Sequence, residues 1–283
     1  MQIELLDTFL DLIETRSFHR TAERLKITQS TVSARVQSLE ASVGARLFTR
    51  SRAGTNLSTE GLKFETHARA LRHAWAEAQR AVAPSGSAAL TLRIGIQNDL
   101  AAGQIGGWVV SFRRNLPECG FYIEPDYSLQ MCRDLERGQL DYAVLYAPQA
   151  VPDLYIASVG EVNYRLISTD GTSRAEVNPL RYIRGAFSAA FDETHRQMLP
   201  ELSAALLGSG QNTAVAGLLT TMGGSGFVLE DTAKKMIDGG AFKAVGDVEM
   251  IAQPVYAVMH QRHRTSRMHR RLTRIVARHL TTK

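Results

Sequence analysis

The run Thr28-Gln-Ser-Thr-Val-Ser-Ala-Arg-Val-Gln-Ser-Leu-Glu40 constrains this chain more than any other stretch. Thr28 is an N-cap residue, and the positions after it read as a helix. Val32, Val36 and Leu39 fall at i, i+4 and i+7 and form one apolar stripe that has to be buried. The opposite face carries Ser30, Ala34 and Gln37, flanked by Thr31, Ser33 and Ser38. An ordinary solvated helix would place Lys and Glu there. Short hydroxyl and amide side chains let a helix approach base edges in the major groove, where Gln pairs with adenine and Ser or Thr with several bases.

The flanking sequence gives this helix a setting. Leu6, Phe9 and Ile13 mark a first amphipathic helix. Ser17 can cap a second one containing Phe18, Ala22 and Leu25, and Lys26-Ile27-Thr28 is a tight turn without glycine. Helix, tight turn and outward-facing helix make a helix-turn-helix. Past Gly44, Leu47 and Phe48 return to the core. Arg50-Ser-Arg52-Ala-Gly54 and Thr55-Asn-Leu57 then read as a small basic β-wing. Gln29, Ser30, Ser33, Ala34 and Gln37 are the candidates for base proximity, and Arg35, Arg50 and Arg52 those for phosphate. Charge agrees with this placement. Residues 16–52 hold 8 Lys/Arg against 2 Asp/Glu, residues 88–260 hold 13 against 19, and residues 261–283 hold 8 against none. A basic patch on an otherwise acidic body suits a polyanion, because phosphate neutralisation releases counterions.

Residues 59–83 contain no proline. Phe64, Ala68, Leu71, Trp75, Ala78 and Val82 repeat at spacings of four and three, a heptad seam for a helix that pairs with a copy of itself. The alternative is a helix packed on its own domain. Pro84-Ser-Gly-Ser-Ala-Ala89 reads as a flexible linker.

Beyond it, strands and helices alternate. Strands are expected at 90–96, 120–124 and 140–146, with helices at about 100–115 and 128–137. A second set follows, with strands at 163–168, 181–183, 226–229 and 254–259 and helices near 213–222 and 230–238. The pattern predicts a parallel α/β sheet in two halves, with a ligand cleft beyond the strand ends. The cleft candidates are Asn98, Asp99, Ser128 and Tyr146 from the first half, and Gln211 and Thr213 from the second. Ser128 and Thr213 serve equally well as N-caps, and Asp99 as a complement to a helix dipole. Asp99 is also an awkward neighbour for an anionic ligand. A last helix, Thr265 to Leu280, sets apolar residues against Arg267, Arg270, Arg271 and Arg274, either as a basic face in solvent or as a further contact with DNA or an acidic subunit.

At 283 residues two or three domains are expected. No run long enough to span a membrane occurs, and Met-Gln-Ile-Glu does not begin a secretory signal, so a cytoplasmic protein is expected. Cys119 and Cys132 are too few for a disulfide framework and are expected as buried inert thiols, the alternative being a thiol redox switch. His260 and His263 lack a third ligand, so no metal site is expected. Gly223-Gly-Ser-Gly226 precedes a strand, where a dinucleotide fingerprint must follow one, so it reads as a turn. With no catalytic constellation and no cofactor motif, an enzyme is not expected.

Ser17-Phe18, Ala22, Leu25, Thr28-Gln29-Ser30-Thr31-Val32-Ser33, Leu39-Glu40, Gly44, Leu47-Phe48-x-Arg50 and Leu57-Ser58-x-x-Gly61 together resemble, in order and spacing, the winged helix-turn-helix of LysR-type transcriptional regulators. The chain departs from that pattern with Thr21-Ala22 in place of Ala-Ala and Ser58-Thr59-Glu60-Gly61 around the usual Thr-Ala-Gly. Leu135-Glu-Arg-Gly-Gln-Leu-Asp141-Tyr-Ala-Val resembles the effector domain of the same family, which is similar to type 2 periplasmic binding proteins; the second half matches weakly. The resemblance implies a multi-domain α+β protein. Residues 1–58 would bind DNA, 59–87 would link and dimerise, and 88–283 would bind an effector, with subdomain I at about 88–162 and 262–283 and subdomain II at about 163–261. It adds Ser17, Phe18 and Thr31 to the DNA-binding set. The implied partners are double-stranded promoter DNA, an unknown small-molecule effector, a second copy in a homodimer or homotetramer, and RNA polymerase. The other reading is a small-molecule-binding protein whose N-terminal helices contact a protein partner.

Overall fold

The computed structural model describes residues 3–51, 54–82 and 90–281. The chain divides into two compact units, with the boundary between the linker helix and the first strand of the C-terminal sheet.

In the N-terminal unit, α1 (Ile3–Thr15), α2 (Phe18–Leu25) and α3 (Gln29–Val43) precede a hairpin of β1 (Phe48–Ser51) and β2 (Gly54–Leu57), and then α4 (Thr59–Val82). Leu6, Phe9, Leu12, Val36, Leu39, Leu47 and Ala68 form one core. Ser17 caps α2 by accepting from Arg20 N, and Thr28 caps α3 by accepting from Thr31 N. The turn between these helices uses Lys26 at φ 53° where glycine is usual, and the Ile27 N–H closes on Ala22 O at 3.0 Å. Gly44 ends α3 at φ 76°. β1 and β2 pair antiparallel from Phe48–Leu57 to Ser51–Gly54, so the wing forms as expected. Arg52 and the side chain of Arg50 lie outside the described residues.

The C-terminal unit is built on one seven-stranded sheet. β3 (Leu90–Gln97), α5 (Asn98–Asn115), β4 (Cys119–Asp126), α6 (Ser128–Glu136) and β5 (Tyr142–Leu145) form the first half, with β3 parallel to both β4 and β5. β6 (Leu154–Ser168) then leads into β7 (Ile183–Gly185), α7 (Ala189–Met198), β8 (Leu207–Ser209), α8 (Asn212–Met222), β9 (Ser225–Leu229), α9 (Glu230–Asp238) and β10 (Lys243–Ala244). β11 (Ile251–His260) returns to the first half, and α10 (Arg267–Thr281) closes the chain.

The expected all-parallel sheet is corrected here. β11 runs antiparallel to β5 and β6, and β9 and β10 run antiparallel to β6. The reason is that β6 and β11 are two long strands that carry the chain out to the second half and back. β6 pairs with β11 over residues 154–164 and with β9 and β10 over residues 164–168. The pair changes register between Val255 and Tyr256, opposite Gly160 at φ 135°. The sequence reading began this strand only at 163 and left out α7 and β8. Gly223 and Gly224, both at positive φ, make the turn into β9. Cys132 is buried in the small core of Met131, Leu135, Leu140 and Leu145, and Cys119 is half-buried.

Candidate nucleic-acid interface and effector cleft

α3 buries its stripe as its spacing requires: Val32 and Leu39 are fully buried and Val36 nearly so. Gln29, Ser30, Ala34 and Gln37 are exposed on the other side, with Ser33 and Thr31 half-buried beside them. The Thr28 hydroxyl lies 2.8 Å from Ser30 Oγ and 2.7 Å from Thr31 Oγ1, which fixes two hydroxyls at the helix entrance. The exposed face is therefore short and uncharged and, Ala34 apart, made of groups that both donate and accept.

Two members of the sequence-based DNA set, Arg35 and Phe18, turn toward the protein, and a third, Ser17, is the expected cap of α2. Arg35 is half-buried and donates from Nη1 to Thr8 Oγ1 at 3.3 Å, so it leans on α1 instead of reaching outward to phosphate. Its position, one residue before Val36, puts it on the flank of the buried stripe. Phe18 packs against the N-terminal core. Ser17 has its hydroxyl engaged as the α2 cap.

The heptad seam of α4 divides in two. Phe64 packs edge-on against Phe9 at 5.3 Å and Ala68 is fully buried, so these two belong to their own domain's core. Arg72 Nε lies 3.3 Å from Asp7 Oδ1 and ties the same helix to α1. Leu71 (44% exposed), Trp75 (48%) and Ala78 remain uncovered. The side chain of Val82 lies outside the described residues.

In the C-terminal unit the cleft candidates converge only in part. Asp99, in the first turn of α5, is 2% exposed. Its Oδ1 accepts from the Asn212 N–H at 2.7 Å, and its Oδ2 from the Tyr164 hydroxyl at 2.8 Å. Asn212 is the first residue of α8, so Asp99 takes one of the backbone N–H groups that a helix start leaves unpaired. Burial pushes the Asp99 carboxyl up, and those two hydrogen bonds act against the shift. With its one proton committed to Asp99, the Tyr164 hydroxyl accepts from the Tyr146 hydroxyl 3.2 Å away, and the Tyr164 ring stacks on Phe187 at 4.2 Å. Desolvation raises the Tyr146 and Tyr164 hydroxyls well above the ordinary tyrosine value, so both stay neutral donors.

Gln211 donates to Tyr127 Oη at 2.9 Å, a second tie between the halves. Ser128 Oγ donates to Gln97 Oε1 at 2.8 Å and accepts from Ala147 N at 3.2 Å, which binds it to its own half. Asn98 is half-buried and Thr213 exposed. A cavity of about 640 Å³ adjoins this network. Asp99, Gln104, Asn212, Thr213, Glu161 and Lys235 are among its walls. Sequence reasoning missed Tyr164, Asn212 and Gln104. None of the three carried a local signal: Tyr164 stands between Asn163 and Arg165 in a strand of mixed polarity.

A chain with an exposed amide-and-hydroxyl recognition helix, a wing, a linker helix and a two-halved α/β unit with a cavity between its halves has the build of a ligand-binding, DNA-binding protein. Residues 3–62 match the bacterial regulatory helix-turn-helix protein, lysR family, and residues 85–281 match the LysR substrate binding domain. The chain belongs to the LysR family of transcriptional regulators, which bind promoter DNA and small-molecule effectors and form oligomers. It is 29% identical over 271 residues to the HTH-type transcriptional regulator HdfR of Yersinia enterocolitica, covering 92% of this chain and 91% of that protein. Its fold is similar to that of ArgP from Mycobacterium tuberculosis, with a TM-score of 0.57 at 22% identity over 98% and 96% of the two chains. LysG from Corynebacterium glutamicum, solved with its effector arginine bound, gives 0.56 at 21% identity over 100% and 99%. Among the described residues no helix is long and apolar enough to cross a membrane.

Proposed function

We propose that this regulator works in the cytoplasm as a homodimer, or as a pair of dimers, joined along Leu71, Trp75 and Ala78. In that reading each copy lays α3 in the major groove of one half-site, with Gln29, Ser30, Ser33, Ala34 and Gln37 toward base edges and Arg50 and Arg52 on flanking phosphate. The observation that carries it is the outer face of α3, where four adjacent exposed positions hold no charge while the helix is anchored from behind. A small effector sits between the two halves of the C-terminal unit, where the 640 Å³ cavity lies within the range of small-molecule sites. Occupancy alters the angle between the halves along β6 and β11, and with it the spacing of the bound half-sites. Contact with RNA polymerase follows from the same role.

The test is a gel shift on sheared genomic DNA with heparin in excess. Retention of a distinct set of fragments supports the reading. Gln29→Ala should lower the specific-to-nonspecific ratio by about tenfold, whereas Arg50→Ala should weaken all fragments alike. Fragment-blind binding by the unaltered protein overturns it.

A further inference from the structure

In open α/β folds an anionic ligand is held where a helix begins, by backbone N–H groups with no partner inside the helix. In this chain the start of α8 is already occupied. The Asp99 carboxylate reaches across from the other half of the unit, takes the Asn212 N–H at 2.7 Å, and is held on its second oxygen by Tyr164. Tyr146, Tyr164 and Phe187, each at most 5% exposed, fill the space behind it. The carboxylate that an acidic effector would bring is thus supplied by the protein itself.

Beside this filled seat lies the 640 Å³ cavity, and one of its walls is Gln104, a residue 8% exposed whose side chain has no hydrogen-bond partner among the described residues. Along the lining Glu161, Lys234 and Lys235 are exposed and stand at the rim, and Glu230 is already paired with Arg165 at 2.6 Å, which leaves Asp99 as the buried charge of the cavity. A second carboxylate brought deep into the cavity would meet Asp99 with no buried cation to offset it.

Building on the reading that the effector lies between the halves, we propose that Asp99 is a built-in anion in the effector seat, and that the ligand of the adjoining cavity is an uncharged amide or an organic cation, hydrogen-bonded by Gln104. Asp99 is then a specificity-determining residue. It excludes carboxylate effectors by occupying their place, and it holds the two halves together without them.

The inference predicts chemical rescue. In Asp99→Ala the seat is empty, so acetate or formate should restore the thermal midpoint of the full-length protein, while chloride at equal ionic strength should not. Acetate should bind this variant about tenfold or more tightly than the unaltered protein. Asp99→Asn, which keeps the shape without the charge, provides the second variant should the alanine protein fail to fold, and acetate should bind it no better than it binds the unaltered chain. For the cavity, calorimetric titration of the unaltered protein with benzamide and benzylamine should give binding, and benzoate none. Gly103 lines the same cavity and a Cβ placed there meets nothing within 4 Å. Gly103→Phe should therefore remove that binding without disturbing the fold. Stabilisation of the unaltered protein by acetate or benzoate, or no rescue of Asp99→Ala, overturns the built-in anion. Rescue by acetate together with amide or amine binding that survives Gly103→Phe upholds the anion and instead removes the cavity as the effector site.

Discussion

Gly61 lies in the first turn of α4, where an added Cβ would stand 2.1 Å from the Leu47 carbonyl oxygen and 2.9 Å from Leu57 Cδ2. The nearer contact is with backbone, so no rotamer change relieves it, and β1 and α4 must separate by about 1 Å. Two hydrogen bonds span that junction, Ser58 N to Leu47 O at 2.9 Å and Ser58 Oγ to Arg46 O at 2.6 Å, and a third, Gly61 N to Ser58 Oγ at 2.9 Å, caps the helix beside it. Overpacking of this kind costs about 1–3 kcal/mol, and each hydrogen bond weakened costs about 1 kcal/mol. The higher helix propensity of alanine returns at most about 1 kcal/mol. Gly61→Ala should thus destabilise the N-terminal unit by about 2–4 kcal/mol and lower its melting transition by about 10–20 °C. Differential scanning calorimetry on the full-length protein reads this directly. Propensity alone predicts the opposite sign, so a transition that stays put or rises would refute the packing argument.

Leu71→Asp combined with Trp75→Asp should give a monomer in sedimentation, since these are the uncovered apolar positions of α4; an unchanged dimer would remove the seam. Arg267, Arg270, Arg271 and Arg274 are all exposed on α10, and replacing the four with Gln should flatten the salt dependence of DNA binding by up to about 3.6 logarithmic units per chain. A slope that does not move would leave this face to solvent. His195 is fully buried, 2.7 Å from the Tyr182 hydroxyl, and desolvation, then the nearby Arg184, lowers its pKa despite Asp192 and Glu201. His269, 2% exposed, is lowered by burial as well. With both folded values depressed, the unfolded chain takes up protons first as the pH falls through about 6.5. Stability should drop below that pH by up to about 1.4 kcal/mol per pH unit for each histidine. A melting temperature that is flat between pH 7 and 5, or as steep in His195→Gln, would contradict this.

The N-terminal unit was legible because its information is local. The Thr28 cap, the Val32-Val36-Leu39 stripe and the Gly44 stop all act within a few turns of one another, and the wing follows from a short basic turn. The linker helix shows the limit of that approach. Its heptad spacing is real, yet Phe64 and Ala68 serve the fold of one copy, because Phe9 lies within reach of the same face. Periodicity identifies an apolar side but does not say what covers it. In the C-terminal unit most strands and helices fell where alternation put them. The antiparallel return of β11 did not, since strand direction is set by pairing across about a hundred residues. Asp99 stood out as a charged residue after a strand, but its meaning depends on Asn212 and Tyr164, 113 and 65 positions away. α7 was missed because Phe191 and His195 are its only buried side chains, too few for a stripe.

The division of α4 also limits how a signal can pass along the chain. Phe64, Ala68 and the Arg72–Asp7 pair clamp the helix to the bundle that carries α3, so the first half of the lever and the reading head turn as one rigid piece. In a dimer formed through Leu71 and Trp75, a change between the effector halves would then act through the angle at which two such levers cross. A few degrees there, multiplied by the length of the arm, sets the separation of the two reading heads on the duplex.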